Sequence, residues 1–242
     1  MNDDKIVLIS EIFGPCVQGE GEHIGHPTVF IRTGGCDYRC AWCDTLYAVL
    51  PEYNHEWVRM KPFDIVTKVN ALTHCKPILV TLSGGNPAMQ KNLGTVIDML
   101  HAQDHIVTIE TQGTVYPDWA DKLDYITVSP KPPSSKMKTN YDQLDQWVHG
   151  KDHVWPVLKI VIFEEDDYQY AKAIAKRYPK VKMYLQTGNI IRSDDNFSLT
   201  AHRNMQLGCL QWLQNRVLED EWFDVCVLEQ QHVLIYGNKR AV

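Results

Sequence analysis

Six short apolar runs, each closed by glycine or a polar cluster, constrain this chain more than any other feature. They are TVFIRTG (28–34), ILVTLSG (78–84), IVTIETQG (106–113), YITVSPK (125–131), VLKIVIF (157–163) and KMYLQTG (182–188). Rich in β-branched residues and nearly continuous in hydrophobicity, they read as strands buried on both faces of a parallel sheet. A last strand is expected over 225–236. Helical patterns fall between them. Pro62 suits the first turn of a helix running to about Cys75, and residues 89–103 follow the turn SGGNP. Residues 166–178 begin with acids and end with bases, matching the helix dipole; residues 199–218 form a longer helix. The link from IETQG to YITVSPK is short and 132–140 reads as a loop, so helices should be fewer than strands. The expectation is an α/β fold in a single domain over 1–242, with a mainly parallel sheet forming an incomplete, shortened barrel. In such sheets chemistry gathers at the carboxyl ends of strands. RTGGC, SGGNP, ETQG, SPK and QTGN all fall there.

The chain of 242 residues is long enough to bury a core without covalent staples. Its formal charge of −6 offers no basic face for nucleic acid. The start, MNDDKIVLIS, has acids where a signal peptide carries bases, and no run reaches membrane-span length. A cytoplasmic protein is expected. The seven cysteines are odd in number and unevenly spaced, which argues against a disulfide framework. Cys16, Cys75, Cys209 and Cys226 are scattered and read as small buried hydrophobes.

The other three, in GGCDYRCAWCDT (34–45), form C-x₃-C-x₂-C. Thiolates this close on a glycine-flanked loop can converge on one soft centre. Structural zinc takes four ligands, and no fourth follows at a suitable spacing. A [4Fe–4S] cluster held by Cys36, Cys40 and Cys43 would keep one iron open.

This spacing, with Trp42 before the last cysteine, resembles the signature of the radical S-adenosylmethionine superfamily. There the open iron binds the amino and carboxylate groups of S-adenosylmethionine. SGGNP (83–87) is similar to that superfamily's GGEP motif, with Asn86 where glutamate is common. EIFGPCVQGEGEHIGHPTVFIRTGGC (11–36) narrows the resemblance to the 7-carboxy-7-deazaguanine synthases of queuosine biosynthesis. It continues through AWCDT, SGGNP, IETQGTVYPDW, SPKPPSSKM and YLQTGN to GNKR, so it covers essentially the whole chain.

The resemblance implies conversion of 6-carboxy-5,6,7,8-tetrahydropterin to 7-carboxy-7-deazaguanine with ring contraction and loss of ammonia. It further implies a 5′-deoxyadenosyl radical that is regenerated, an external reductant such as flavodoxin, a magnesium ion and a homodimer. Carried over residue by residue, Val17, Gln18, Gly19, Glu20, Arg32, Ser83, Glu110, His232 and Val242 bind substrate. Arg32 is expected on the substrate carboxylate, for which a guanidinium is a bidentate donor. Acidic side chains suit the pterin's amidine-like edge. Glu110, following an apolar strand, is the kind of ionisable group that must be paired or functional. Thr45 matches a magnesium ligand, with the remaining positions left to substrate and water. Trp42, Cys43, Asp44, Gly85, Ser129, Pro130, Lys131, Gln186, Thr187, Gly188 and Asn189 match cofactor-lining stretches. GNKRAV extends further past His232 than in many relatives. A glycyl-radical activase, or a non-catalytic zinc or iron–sulfur protein, remains the alternative at this point.

Overall fold

A computed structural model describes residues 5–149, 155–191 and 198–242. One nine-stranded sheet organises it, in the order β3-β1-β2-β4-β5-β6-β7-β8-β9. Strand β1 (Val7–Val17) runs antiparallel to β2 (Pro27–Thr33) on one side and to β3 (Val58–Met60) on the other. From β2 onward every pairing is parallel: β4 (Leu79–Gly84), β5 (Ile106–Thr111), β6 (Tyr125–Val128), β7 (Val157–Ile162), β8 (Met183–Thr187) and β9 (Val225–Leu228). Among the described residues β3 and β9 do not pair, so the sheet stays open as a partial barrel.

The helices are α1 (Leu46–Val49), α2 (Pro62–Thr73), α3 (Leu93–His101), α4 (Tyr141–His149), α5 (Glu165–Arg177), α6 (Leu199–Glu219) and α7 (Gln231–Tyr236). Helix α3 buries Leu93, Val96, Ile97 and Leu100, a spacing that puts all four on one stripe facing the sheet. Helix α5 carries Glu165, Asp166 and Asp167 in its first turn and Lys176 and Arg177 in its last, as the dipole favours. Ser198 caps α6, its side chain accepting from the Ala201 N–H at 3.2 Å. Between β5 and β6 there is no α-helix, only a 3₁₀ turn at Ala120–Lys122. The core is continuous from Val7 and Ile31 through Leu82 and Ile109 to Leu158, Ile160 and Leu185.

All six apolar runs form strands. The seventh expected strand, over 225–236, is shorter than expected. Strand β9 pairs with β8 only over Val225–Leu228, and HVLIY folds into α7 with Val233 buried. Strands β1 and β3 and helices α1 and α4 carry no clear periodic signal. Gly14–Pro15 interrupts β1 with a register shift between Phe13 and Cys16, which in sequence reads as a break. The 132–140 segment holds a single 3₁₀ turn at Pro133–Ser135 before α4 begins.

Candidate active site

The carboxyl ends of the parallel strands open into one cavity. The strands from β2 to β7 line it: Arg32 of β2, Ser83 and Gly84 of β4, Glu110 and Thr111 of β5, Ser129 after β6, and Lys159 and Val161 of β7, with β8 and β9 behind the wall. The Val17–Glu20 turn closes one side, and Gln230, His232 and Val242 come in after β9.

Cys36, Cys40 and Cys43 face this cavity from the loop after β2. Burial pushes all three thiols up, Cys40 to about 11, so they are neutral until a metal takes the protons' place. Among the described residues no three His, Cys, Asp or Glu side chains converge tightly enough to grip a single ion. A cubane offers each thiolate its own iron, so the cysteines need only share one space, as they do here.

The loop is fixed from below by a polar network. Gln112 Nε2 donates to Asp37 Oδ1 at 2.7 Å and lies 3.4 Å from Cys36 Sγ. Asn86 Nδ2 also donates to Asp37 Oδ1, at 2.9 Å, while Asn86 Oδ1 accepts from Thr111 Oγ1 at 2.9 Å. This explains asparagine in place of the commoner glutamate: a carboxylate would meet Asp37 as a like charge instead of a donor. Beside it, a Cβ on Gly85 would overlap the Gly35 carbonyl and reach within 2.9 Å of Ala48 O, so only glycine lets β4 approach the cluster loop.

One wall of the cavity is a buried ionic network. Lys159 Nζ lies 2.5 Å from Glu20 Oε2 and 3.6 Å from Glu110 Oε1. Gln230 Nε2 donates to Glu20 Oε1 at 2.8 Å, and His232 Nε2 stands 3.9 Å from the same oxygen. Gln18 Nε2 and Ser83 Oγ donate to Glu110 at 3.3 and 3.4 Å. Burial opposes the charge on Glu20, but attraction to Lys159 and His232 and the hydrogen bonds from Lys159 and Gln230 outweigh it. Its carboxyl is held well below the usual range. Across the cavity, Arg32 Nε donates to Glu11 Oε1 at 2.7 Å, and Tyr47 Oη donates to the same oxygen at 2.8 Å. Arg32 also lies against the Phe13 ring, 5.6 Å from its centroid. Its terminal nitrogens remain for an anion.

The expected substrate residues Val17, Gln18, Gly19, Glu20, Arg32, Ser83, Glu110, His232 and Val242 all line this one cavity, with Asp44, Thr45, Gly85, Ser129 and Lys131. Trp42 lies in an adjoining cleft with Phe163, Asn189, Asn238 and Arg240, its Nε1 donating to Ser134 Oγ at 2.9 Å. Pro130, Gln186, Thr187 and Gly188 do not reach the cavity wall. Gln186 is buried and accepts from the Gly21 N–H at 3.3 Å, which holds the Val17–Glu20 turn from behind. Lys159, Gln230, Gln112 and Glu11 are not singled out by sequence. Only Lys159 leaves a trace there, a charge amid the apolar run VLKIVI.

Three cluster-type cysteines at the mouth of an open parallel sheet define a radical S-adenosylmethionine enzyme, and residues 30–131 match the model of the Radical SAM superfamily. The fold is similar to the crystal structure of QueE from Escherichia coli, with a TM-score of 0.68 at 19% identity, covering 94% of this chain and 95% of that one. The chain belongs to the 7-carboxy-7-deazaguanine synthase family. It is 41% identical to the 7-carboxy-7-deazaguanine synthases of Bacillus subtilis (98% of this chain, 99% of the relative) and of Bacillus cereus (98% and 99%). Nothing in these relationships favours an activase or a non-catalytic metal protein.

Proposed function

We propose that the chain converts 6-carboxy-5,6,7,8-tetrahydropterin to 7-carboxy-7-deazaguanine, releasing ammonia. The observation that carries this reading is the convergence on one cavity of Cys36, Cys40 and Cys43 with Glu20, Arg32, Glu110 and His232. Bound together, a [4Fe–4S] cluster and S-adenosylmethionine supply a carbon radical able to take hydrogen from the carbon beside the substrate carboxylate. The protein's own task is orientation. Arg32, steadied by Glu11, takes the carboxylate as a bidentate partner. Glu110 and the Val17–Glu20 turn face the opposite, donor-rich edge. With both ends fixed, one carbon is presented to the cluster side of the cavity.

Gly85, Ser129 and Lys131, which line the cavity, would hold S-adenosylmethionine, and Trp42 with Asn189, in the adjoining cleft, would lie toward its adenosine. Thr45 faces the cavity next to Asp44 and would give a magnesium ion one oxygen, with the rest from substrate and water. A flavodoxin-type donor and a homodimeric assembly complete the reading. Among the described residues no helix is long and apolar enough to cross a membrane.

The test is anaerobic. The reconstituted, reduced enzyme receives S-adenosylmethionine, magnesium and the carboxypterin, and mass spectrometry follows 7-carboxy-7-deazaguanine. Product in excess of cofactor consumed supports the proposal. Accumulation of 5′-deoxyadenosine without that product would refute the substrate.

A further inference from the structure

Lys159 sits in the middle of β7, a strand whose six residues are all buried, and its side chain is 6% exposed. A lysine in such a place is costly unless paired, and a hydrophobe would pack there more cheaply. Its two carboxylate neighbours are not equivalent. Glu20 has both oxygens occupied at short range, by Lys159 at 2.5 Å and Gln230 at 2.8 Å. Glu110 has only long contacts, at 3.3, 3.4 and 3.6 Å from Gln18, Ser83 and Lys159. Glu20 is thus the more tightly held of the two, whereas Glu110 keeps more of its acceptor capacity toward the cavity.

We propose that Lys159 is a positioning residue: it pins Glu20 in place and, by standing between the two carboxylates, leaves Glu110 open to accept the donor edge of the substrate. This rests on the reading of a pterin at this site. The charged groups facing the ammonium are Glu20 from the turn after β1, Glu110 from β5 and Asp44 from the cluster loop, with His232 of α7 beyond Glu20. With the ammonium removed, two carboxylates share an enclosed space and one takes up a proton. A protonated carboxyl on this wall presents a donor to a donor, so substrate binding to the variant weakens as pH falls.

The variant is Lys159→Met, read in the cluster-loaded protein. KM for 6-carboxy-5,6,7,8-tetrahydropterin should rise roughly tenfold or more, with kcat changed less. The rise should be larger at low pH and should shrink as pH increases, while the unaltered enzyme gives a flat KM profile. Lys159→Met/Glu20→Gln removes the crowded charge and should bind more tightly than the single variant, without the slope. This double variant also serves should the single one not fold. A second readout needs no pterin. The infrared spectrum of Lys159→Met without substrate should gain a protonated-carboxyl band that the double variant lacks. A KM unchanged, or raised equally at every pH, would overturn the proposal, as would absence of that band. Failure of the unaltered enzyme to form 7-carboxy-7-deazaguanine would instead count against the substrate assignment, and the infrared result would still decide the role of Lys159.

Discussion

At the scale of single residues, the proposed site divides into groups assigned to metal, groups assigned to substrate and groups that hold other residues. Cys40→Ala should abolish the cluster, seen as loss of iron and sulfide after reconstitution. Arg32→Ala should keep the cluster but raise KM for the carboxypterin by roughly ten- to a hundredfold, the cost of one bidentate charge-assisted contact; normal turnover at low substrate would refute the carboxylate assignment. Glu20 has a folded-state pKa below its ordinary 4.5, held there by Lys159, His232 and Gln230 against the opposing effect of burial. A lowered carboxyl pKa stabilises the fold above the ordinary value and loses that contribution as pH falls through the folded one. The stability gap between the unaltered protein and Glu20→Gln, read from urea midpoints, should therefore narrow as pH drops below about 4.5. Lys159 is shifted upward, so its share is constant through neutral pH and fails only in strong alkali.

At the scale of elements, the parallel strands were legible because buried strands are written as apolar runs, and the turns at their ends because glycine and polar residues cluster there. The argument that picks out Glu110, an ionisable group at the end of an apolar strand, applies with equal force to Lys159, where the charge lies inside the strand. Gln230 and Glu11 could not be read, since each acquires its role only from a partner far along the chain: Glu20 for Gln230, Arg32 for Glu11. Strand β1 was hidden by Gly14–Pro15, and α7 by an apolar run too short to show a period. Two substitutions probe the turns. Gly188→Ala would place a methyl inside the Phe163 ring, the ring that tilts against Trp42 at 5.0 Å. It should destabilise the protein by about 1–3 kcal/mol in denaturant unfolding. Asn86→Glu sets a carboxylate against Asp37 under the cluster loop and should lower retained iron without unfolding the sheet.

At the scale of the whole molecule, one core supports one cavity, so distant packing defects should lower stability before they change chemistry. Trp147 of α4 is 1% exposed, and its Nε1 donates to Val115 O at 2.9 Å. Trp147→Ala should cost about 3–5 kcal/mol in unfolding free energy. The surviving folded fraction should keep its KM, which separates this defect from those at Arg32 or Lys159. The parallel order also fixes when the site becomes whole during synthesis. The cysteine loop at 36–43 leaves the ribosome early, but Glu20 is clasped by Gln230, and the Gly19 carbonyl by the Gln231 N–H. A nascent chain halted before β9 would carry Cys36, Cys40 and Cys43 and lack the clasp on the Gly19–Glu20 turn. Those cysteines, Glu20 and Arg32 are therefore translated well before Gln230 and Gln231, which hold the Gly19–Glu20 turn in place.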